Sequence, residues 1–224
     1  MEILFLGTGA ADYNREKDRT EPGYRRNSSI LIDDILLIDP GPCVPDAIES
    51  YGVDVSKIKY ILSTHLHEDH YNEETVAFLE GKGAKLLQIP LEDKTQVGDY
   101  NILALEGNHK VPTKHYIVER DGKRLFYGLD SAWLMYHEIA AIWENPVDVA
   151  ILDGTIGFVD GDLRIFEHCN MNMIIEIQKS LKDSVGKFYI SHIAKTLHTD
   201  HDTLCNAMDK YGIGVAYDGL KINI

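Results

Sequence analysis

The segment Thr64-His65-Leu66-His67-Glu68-Asp69-His70 constrains this chain more than any other, because it packs three histidines and a carboxylate into six positions. Neutral imidazoles and carboxylates are ligands for zinc, iron or manganese, and few surfaces collect so many by chance. The preceding run, Ile58-Lys59-Tyr60-Ile61-Leu62-Ser63, reads as a buried strand. At the end of that strand, period-two alternation sends His65 and His67 to the same side. Asp69 and His70 follow where the chain turns toward a helix suggested by Asn72–Leu79. Two ligand pairs on either side of a turn can face two different ions, so the spacing points to a dinuclear metal site.

At 224 residues the chain can bury one substantial core, and a single domain spanning 1–224 is expected. No apolar run is long enough to cross a bilayer, so no membrane partner is expected. Met1–Gly7 reads as a first core strand and not as a leader. Cys43, Cys169 and Cys205 stand far apart and unpaired, which fits a reducing compartment and predicts a cytoplasmic protein. The formal net charge of −14 opposes long-range attraction to nucleic acid or anionic lipid. It does not oppose a small anionic substrate, because two divalent ions would offset about four charges locally.

Hairpins are signalled by Asp33-Asp34 between Ser29–Ile32 and Ile35–Ile38, by Asp121-Gly122, and by Asp218-Gly219. Helical patterns cover Asn72–Glu80, Ala132–Trp143, Met173–Lys182 and Asp202–Lys210, with apolar strands between them. Hairpins early and strand–helix alternation later would suit an αββα arrangement, although periodicity alone does not select it over a three-layer α/β fold. The charged stretch Asp12–Asn27 reads as a surface loop or lid. Gly7 and Gly9 suggest close backbone packing, since no Gly-Lys-Ser/Thr follows to make a phosphate loop.

The spacing His65-x-His67-x-Asp69-His70 resembles the signature of the metallo-β-lactamase superfamily. The resemblance runs along the chain in order through Gly7–Ala10, Leu37–Gly41, Gly107–His109, Tyr127–Asp130, Ile151–Thr155 and Ile190–His192. It implies a four-layer αββα sandwich of two facing mixed β-sheets. Residue by residue, it implies His65, His67 and His109 on one ion, Asp69, His70 and His192 on a second, and Asp130 bridging both. The cofactors would be two divalent ions, zinc or manganese, with iron also accepted by such ligands. Asp39 and Asp153, each closing an apolar strand, suit a turn cap or a partner to a ligand imidazole better than direct ligation.

Within the superfamily the chain looks like the PhnP-like cyclic phosphodiesterases, chiefly in Gly214–Ile222 and around His168. That likeness implies a hydrolase of small phosphodiesters, cyclic ones included, acting through a metal-bound hydroxide. Asp69 and His168 would be catalytic, with His168 protonating the leaving oxygen. His201, Arg25 and Arg26 are candidates for substrate contact, and a homodimer is implied by resemblance alone. His115 and His137 are expected on strand and helix surfaces. The cysteine-rich insertion common after the first strand of PhnP-like enzymes is missing from Asp12–Asn27, which leaves the substrate open. A thioesterase or lactonase of the same fold, a tRNA 3′-processing nuclease and a non-catalytic ligand-binding member stand as alternatives.

Overall fold

The computed structural model describes residues 1–224. In chain order the elements are β1 (Glu2–Gly7), β2 (Ser29–Ile32), β3 (Leu36–Ile38), α1 (Val44–Ser50), β4 (Tyr60–Leu62), α2 (Glu73–Gly81) and β5 (Lys85–Leu86). There follow β6 (Lys94–Val97), β7 (Tyr100–Glu106), β8 (Lys114–Arg120), β9 (Lys123–Gly128), α3 (Tyr136–Glu144) and β10 (Val147–Asp153). The last are α4 (Met171–Leu181), β11 (Val185–Ser191), α5 (His201–Asp209), β12 (Ile213–Val215) and β13 (Lys221–Asn223). None of the helices is long and apolar enough to cross a membrane. The chain divides into two compact units, Met1–Gln88 with Ala216–Asn223, and Ile89–Val215 with Ile224.

The first unit is a mixed sheet of order β13-β1-β2-β3-β4-β5. Asp33 and Asp34 both adopt positive φ (52° and 59°), and with Ile35 they make the connection that pairs β2 with β3, Ile32 opposite Leu36, so the hairpin suggested by the sequence forms one residue later than its Ile35 start. β3 then runs parallel to β4, with Ile38 beside Leu62. Both strands therefore end at the same sheet edge, where Asp39 N–H donates to the Leu62 carbonyl at 2.9 Å. Leu4, Leu6, Leu31, Leu37, Val44, Ile58, Ile61 and Leu79 form the core of this unit. Truncating one such leucine to alanine costs about 2–5 kcal/mol. Gly7 allows a close approach, since a Cβ there would lie 2.1 Å from the Asn27 carbonyl oxygen.

In the second unit the sheet order is β12-β11-β10-β9-β8-β7-β6. β9 to β12 are mutually parallel, and β6 to β9 pair antiparallel. The C-terminal ends of β7, β9, β10 and β11 consequently fall on one edge. Helix α4 lays Met173, Ile174 and Ile177 into a core with Phe126, Leu152, Phe188 and Ile190.

Helix boundaries follow capping chemistry. Asn72 caps α2 by accepting Thr75 N–H at 2.9 Å, and Asp200 caps α5 through Thr203 N–H at 3.0 Å. α3 begins at Tyr136 instead of Ala132, because Ser131–Met135 run as an irregular connection into a Glu138 capping box. The turn at Asp218-Gly219 joins strands of different sheets, so it is not the hairpin that the dipeptide suggests. α1 has no counterpart in the sequence reading; with seven residues and a proline in its first turn, it shows almost no helical period.

Candidate metal centre

In the first unit the dense motif leaves β4 and turns immediately. His65 Nε2 lies 2.8 Å from His67 Nδ1, so the two imidazoles converge on one point. His70 Nε2 lies 3.4 Å from Asp69 Oδ2. The buried carboxylate of Asp39 organises both pairs. Its Oδ1 accepts the Thr64 backbone N–H at 2.7 Å and the Thr64 hydroxyl at 2.8 Å. With its proton spent on Asp39, Thr64 Oγ1 accepts from His65 Nδ1 at 3.0 Å. Asp39 Oδ2 meets His70 Nδ1 at 2.9 Å. Protons are thereby fixed on Nδ1 of His65 and His70, and each Nε2 carries the lone pair that a metal needs.

The second unit repeats this logic at the ends of β7, β9, β10 and β11. His109 donates from Nδ1 to the Glu167 carbonyl at 3.0 Å, and its Nε2 lies 3.8 Å from Asp130 Oδ2. His192 meets Thr155 Oγ1 through Nδ1 at 2.7 Å and Asp130 Oδ1 through Nε2 at 3.1 Å. Asp130 thus presents one oxygen toward each of two imidazoles. Asp39, Asp130 and His192 all hold positive φ (65°, 52° and 61°). Left-handed backbone is unfavourable for such residues, and it concentrates where side chains must be aimed.

Asp130, Asp153, His168 and His192 offer ligand atoms within 4.8 Å of one another. Asp153 is spoken for: its oxygens accept Ser131 N–H (3.2 Å), Thr155 N–H (2.8 Å) and His168 Nδ1 (2.7 Å). A carboxylate so saturated supports its neighbours better than it would ligate an ion. Burial would lower the His168 pKa, but the Asp153 charge, with Asp130 and Glu167, outweighs it and raises the value to about 9. Conversely, Asp153 is held below the ordinary carboxylate range despite its burial, chiefly by His168. Two threonines that hold candidate-ligand imidazoles carry no signal in the sequence beyond lying one or two residues past a strand end: the Thr64 hydroxyl links His65 to Asp39, and the Thr155 hydroxyl joins His192 to His168.

The remaining candidates lie elsewhere. Arg25 is buried, with Nη1 donating to Thr8 Oγ1 at 2.6 Å and to the Ala216 carbonyl at 2.7 Å. Arg26 meets Asp46 Oδ2 at 2.7 Å, the Tyr51 hydroxyl at 2.9 Å and Ser50 Oγ at 2.9 Å. Both guanidinium groups fasten the base of the 12–27 loop within the fold. His201 starts α5, with Nε2 3.4 Å from Cys205 Sγ. The loop itself is folded, since Asn14 Oδ1 accepts Glu16 and Lys17 N–H and Asp18 Oδ2 accepts Asn14 N–H. It walls a cavity of about 430 Å³ lined by Tyr13, Asn14, Arg15, Glu16, Asn27, Pro42, Glu68 and the ligand candidate Asp69. Arg15 is the guanidinium that lines this space.

A family described as "Anti-Pycsar protein Apyc1" matches residues 1–79. Ribonuclease Z of Methanopyrus kandleri is 29% identical over 145 residues, 53% of this chain and 50% of that protein. The chain thus spans about half the length of this curated relative. Among solved structures, the metallo-β-lactamase fold protein YhfI from Bacillus subtilis superposes with a TM-score of 0.79. The match has 16% identity and covers 99% of this chain and 98% of that one. A diphosphatase from the PhnP family superposes with a TM-score of 0.73 at 17% identity, over 100% and 97% of the two chains. Likeness of this extent shows the fold: the chain has the metallo-β-lactamase fold implied by the resemblance of its motifs.

Proposed function

We propose that this chain is a divalent-metal-dependent hydrolase acting on small phosphodiesters. His65, His67 and His109 would hold one ion, Asp69, His70 and His192 a second, with Asp130 shared; this pairing is the one implied by the resemblance to the metallo-β-lactamase superfamily. The observation that carries the metal reading is the tautomer pattern. His65, His70 and His109 each have Nδ1 fixed by an acceptor, which leaves Nε2 as the ligand atom. When bound, such ions polarise a phosphoryl oxygen and make water a nucleophile at neutral pH.

The protein's own groups supply the rest. His168 is oriented by its Nδ1 contact with Asp153 at 2.7 Å, which in the metal-free protein raises its pKa to about 9, and this leaves Nε2 as the ring atom that would give a proton to a departing alkoxide. The cavity beside Asp69 is large enough for the non-reacting half of a small diester, and Arg15 offers its guanidinium there. A PhnP-family diphosphatase on the same fold supports the phosphoryl substrate class.

A second reading, an RNA-processing nuclease, is favoured by the partial match to ribonuclease Z. The net charge of −14 weighs against a long polyanion. The deciding experiment is hydrolysis of bis(p-nitrophenyl) phosphate by protein reloaded separately with Mn²⁺ and Zn²⁺, with a structured RNA bearing a 3′ extension in parallel. Metal-dependent turnover of the small diester supports the proposal. No turnover with ions bound overturns it in favour of thioesters or lactones, and cleavage of RNA alone selects the nuclease.

A further inference from the structure

Beneath the proposed ligands of the second unit lies a buried histidine–glutamate pair that no ligand assignment uses. His115 on β8 stands opposite Leu105 on β7, and its ring enters the core with no exposed surface. Glu138, in the first turn of α3, is equally buried. His115 Nε2 lies 2.9 Å from the Leu129 carbonyl oxygen, and Nδ1 lies 2.5 Å from Glu138 Oε1. A carbonyl oxygen only accepts, so Nε2 bears a proton. A second proton must lie between Nδ1 and the carboxylate, because two lone pairs would repel at that distance. Glu138 Oε2 is satisfied in turn by the Met135 N–H at 2.7 Å.

The position of the ring gives this pair its meaning. A Cβ at Gly107 would lie 2.6 Å from His115 Nε2, and one at Gly128 would lie 3.1 Å from Nδ1. Each glycine precedes a proposed ligand by two residues, His109 in one case and Asp130 in the other. The imidazole therefore fills the space between the two strand ends that carry those ligands. Its bond to the Leu129 carbonyl fixes the peptide entering Asp130, whose φ of 52° it helps to hold. The two turns are tied again above it, where Asn108 N–H meets Ser131 Oγ at 3.2 Å and Ala132 N–H meets the Asn108 carbonyl at 3.0 Å.

We propose that His115 and Glu138 are positioning residues for the metal centre, locking the Gly107–His109 turn and the Leu129–Asp130 strand end into one arrangement. The role rests on the reading of His109 and Asp130 as ligands. An apolar pair could fill the same volume, but it could not engage the buried Leu129 carbonyl or cap α3. Replacing a buried ion pair by apolar residues of similar size often leaves stability intact. That separates holding the fold from aiming the ligands.

The test is a Zn²⁺ titration against a chromophoric chelator, with wild type, E138Q and the double variant H115F/E138M. The double variant is expected to melt cooperatively and to bind zinc about 10–100-fold more weakly, the usual effect of losing a ligand's support. Wild-type affinity in a folded double variant overturns this role alone. A wild-type protein that binds no divalent ion overturns the metal reading and this role with it. If the double variant does not fold, E138Q decides by the same comparison. Independently, nitrogen-15 spectra of the metal-free wild type should show both His115 ring N–H protons in slow exchange; a missing Nε2 proton overturns the geometry.

Discussion

Asp39 Oδ2 stands 2.9 Å from His70 Nδ1, with both side chains wholly shielded from solvent. The same carboxylate reaches His65 through the Thr64 hydroxyl, so one buried charge sets the tautomer of two proposed ligands. Asp39 also sits at φ 65°, a conformation asparagine tolerates and alanine does not. Asp39→Asn should therefore keep the backbone while weakening zinc binding about 10–100-fold. Chelator competition checks it, and unchanged affinity with a normal melting curve would show that Asp39 does not aim the ligands.

Arginines in the N-terminal loop divide by role. Arg25 makes two buried hydrogen bonds, to Thr8 just past β1 and to the Ala216 carbonyl of the C-terminal segment. A bond to a charged group contributes about 1.5–3 kcal/mol, so Arg25→Ala should lower the melting temperature visibly. Arg15 lines the cavity beside Asp69 from an exposed position. Arg15→Ala should leave the melting curve unmoved and raise KM for a small diester several-fold. The reverse pattern, with Arg25→Ala affecting only KM, would show that the cavity is misassigned.

The dense His65–His70 cluster is legible in the sequence because its candidate ligands are neighbours in the chain and follow an apolar strand. His109, Asp130 and His192 are proposed as ligands only through ordered resemblance, since each stands alone in sequence. What sequence could not show is which groups hold them. Thr155 reaches His192 through a turn across 37 residues, and Glu167 serves His109 by its backbone carbonyl, for which side-chain identity gives no signal. His115 was expected on a strand surface. Its ring is buried because the two glycines beside it, Gly107 just past β7 and Gly128 at the end of β9, leave room for it. α1 went unseen because seven residues make too few turns for a period to register.

Metal removal should destabilise the fold as well as silence it. An ion present at a hundred times its dissociation constant adds about 2.7 kcal/mol, so two such ions add on the order of 5 kcal/mol. For a chain of this size each kcal/mol moves the midpoint by about 2–4 °C. Chelation should lower the melting temperature by roughly 10 °C or more, with recovery on adding Mn²⁺ or Zn²⁺. His67→Ala and Asp69→Ala should shrink that shift. Identical melting with and without chelator would mean that no ion is bound by the folded state.

His168 gives the last prediction its pH window. In the metal-free protein burial would depress its pKa, yet Asp153 at 2.7 Å holds it up at about 9, above the ordinary 6.5. A histidine whose folded pKa is raised contributes stability that is complete below 6.5 and is lost as pH rises through about 9. The Asp153 carboxyl is held down by the same contact, so that side of the interaction fails as pH falls through its depressed folded pKa, below the ordinary 3.8. It is one interaction, counted once. Denaturant unfolding of metal-free wild type and His168→Gln should differ most near pH 5–6.5 and converge above pH 9. In turnover, His168→Ala should slow alkoxide leaving groups more than p-nitrophenolate, which departs without a proton. A constant stability gap from pH 6 to 10, together with equal slowing of both leaving groups, would leave His168 as packing beside Asp153 and return the acid's role to an unidentified group.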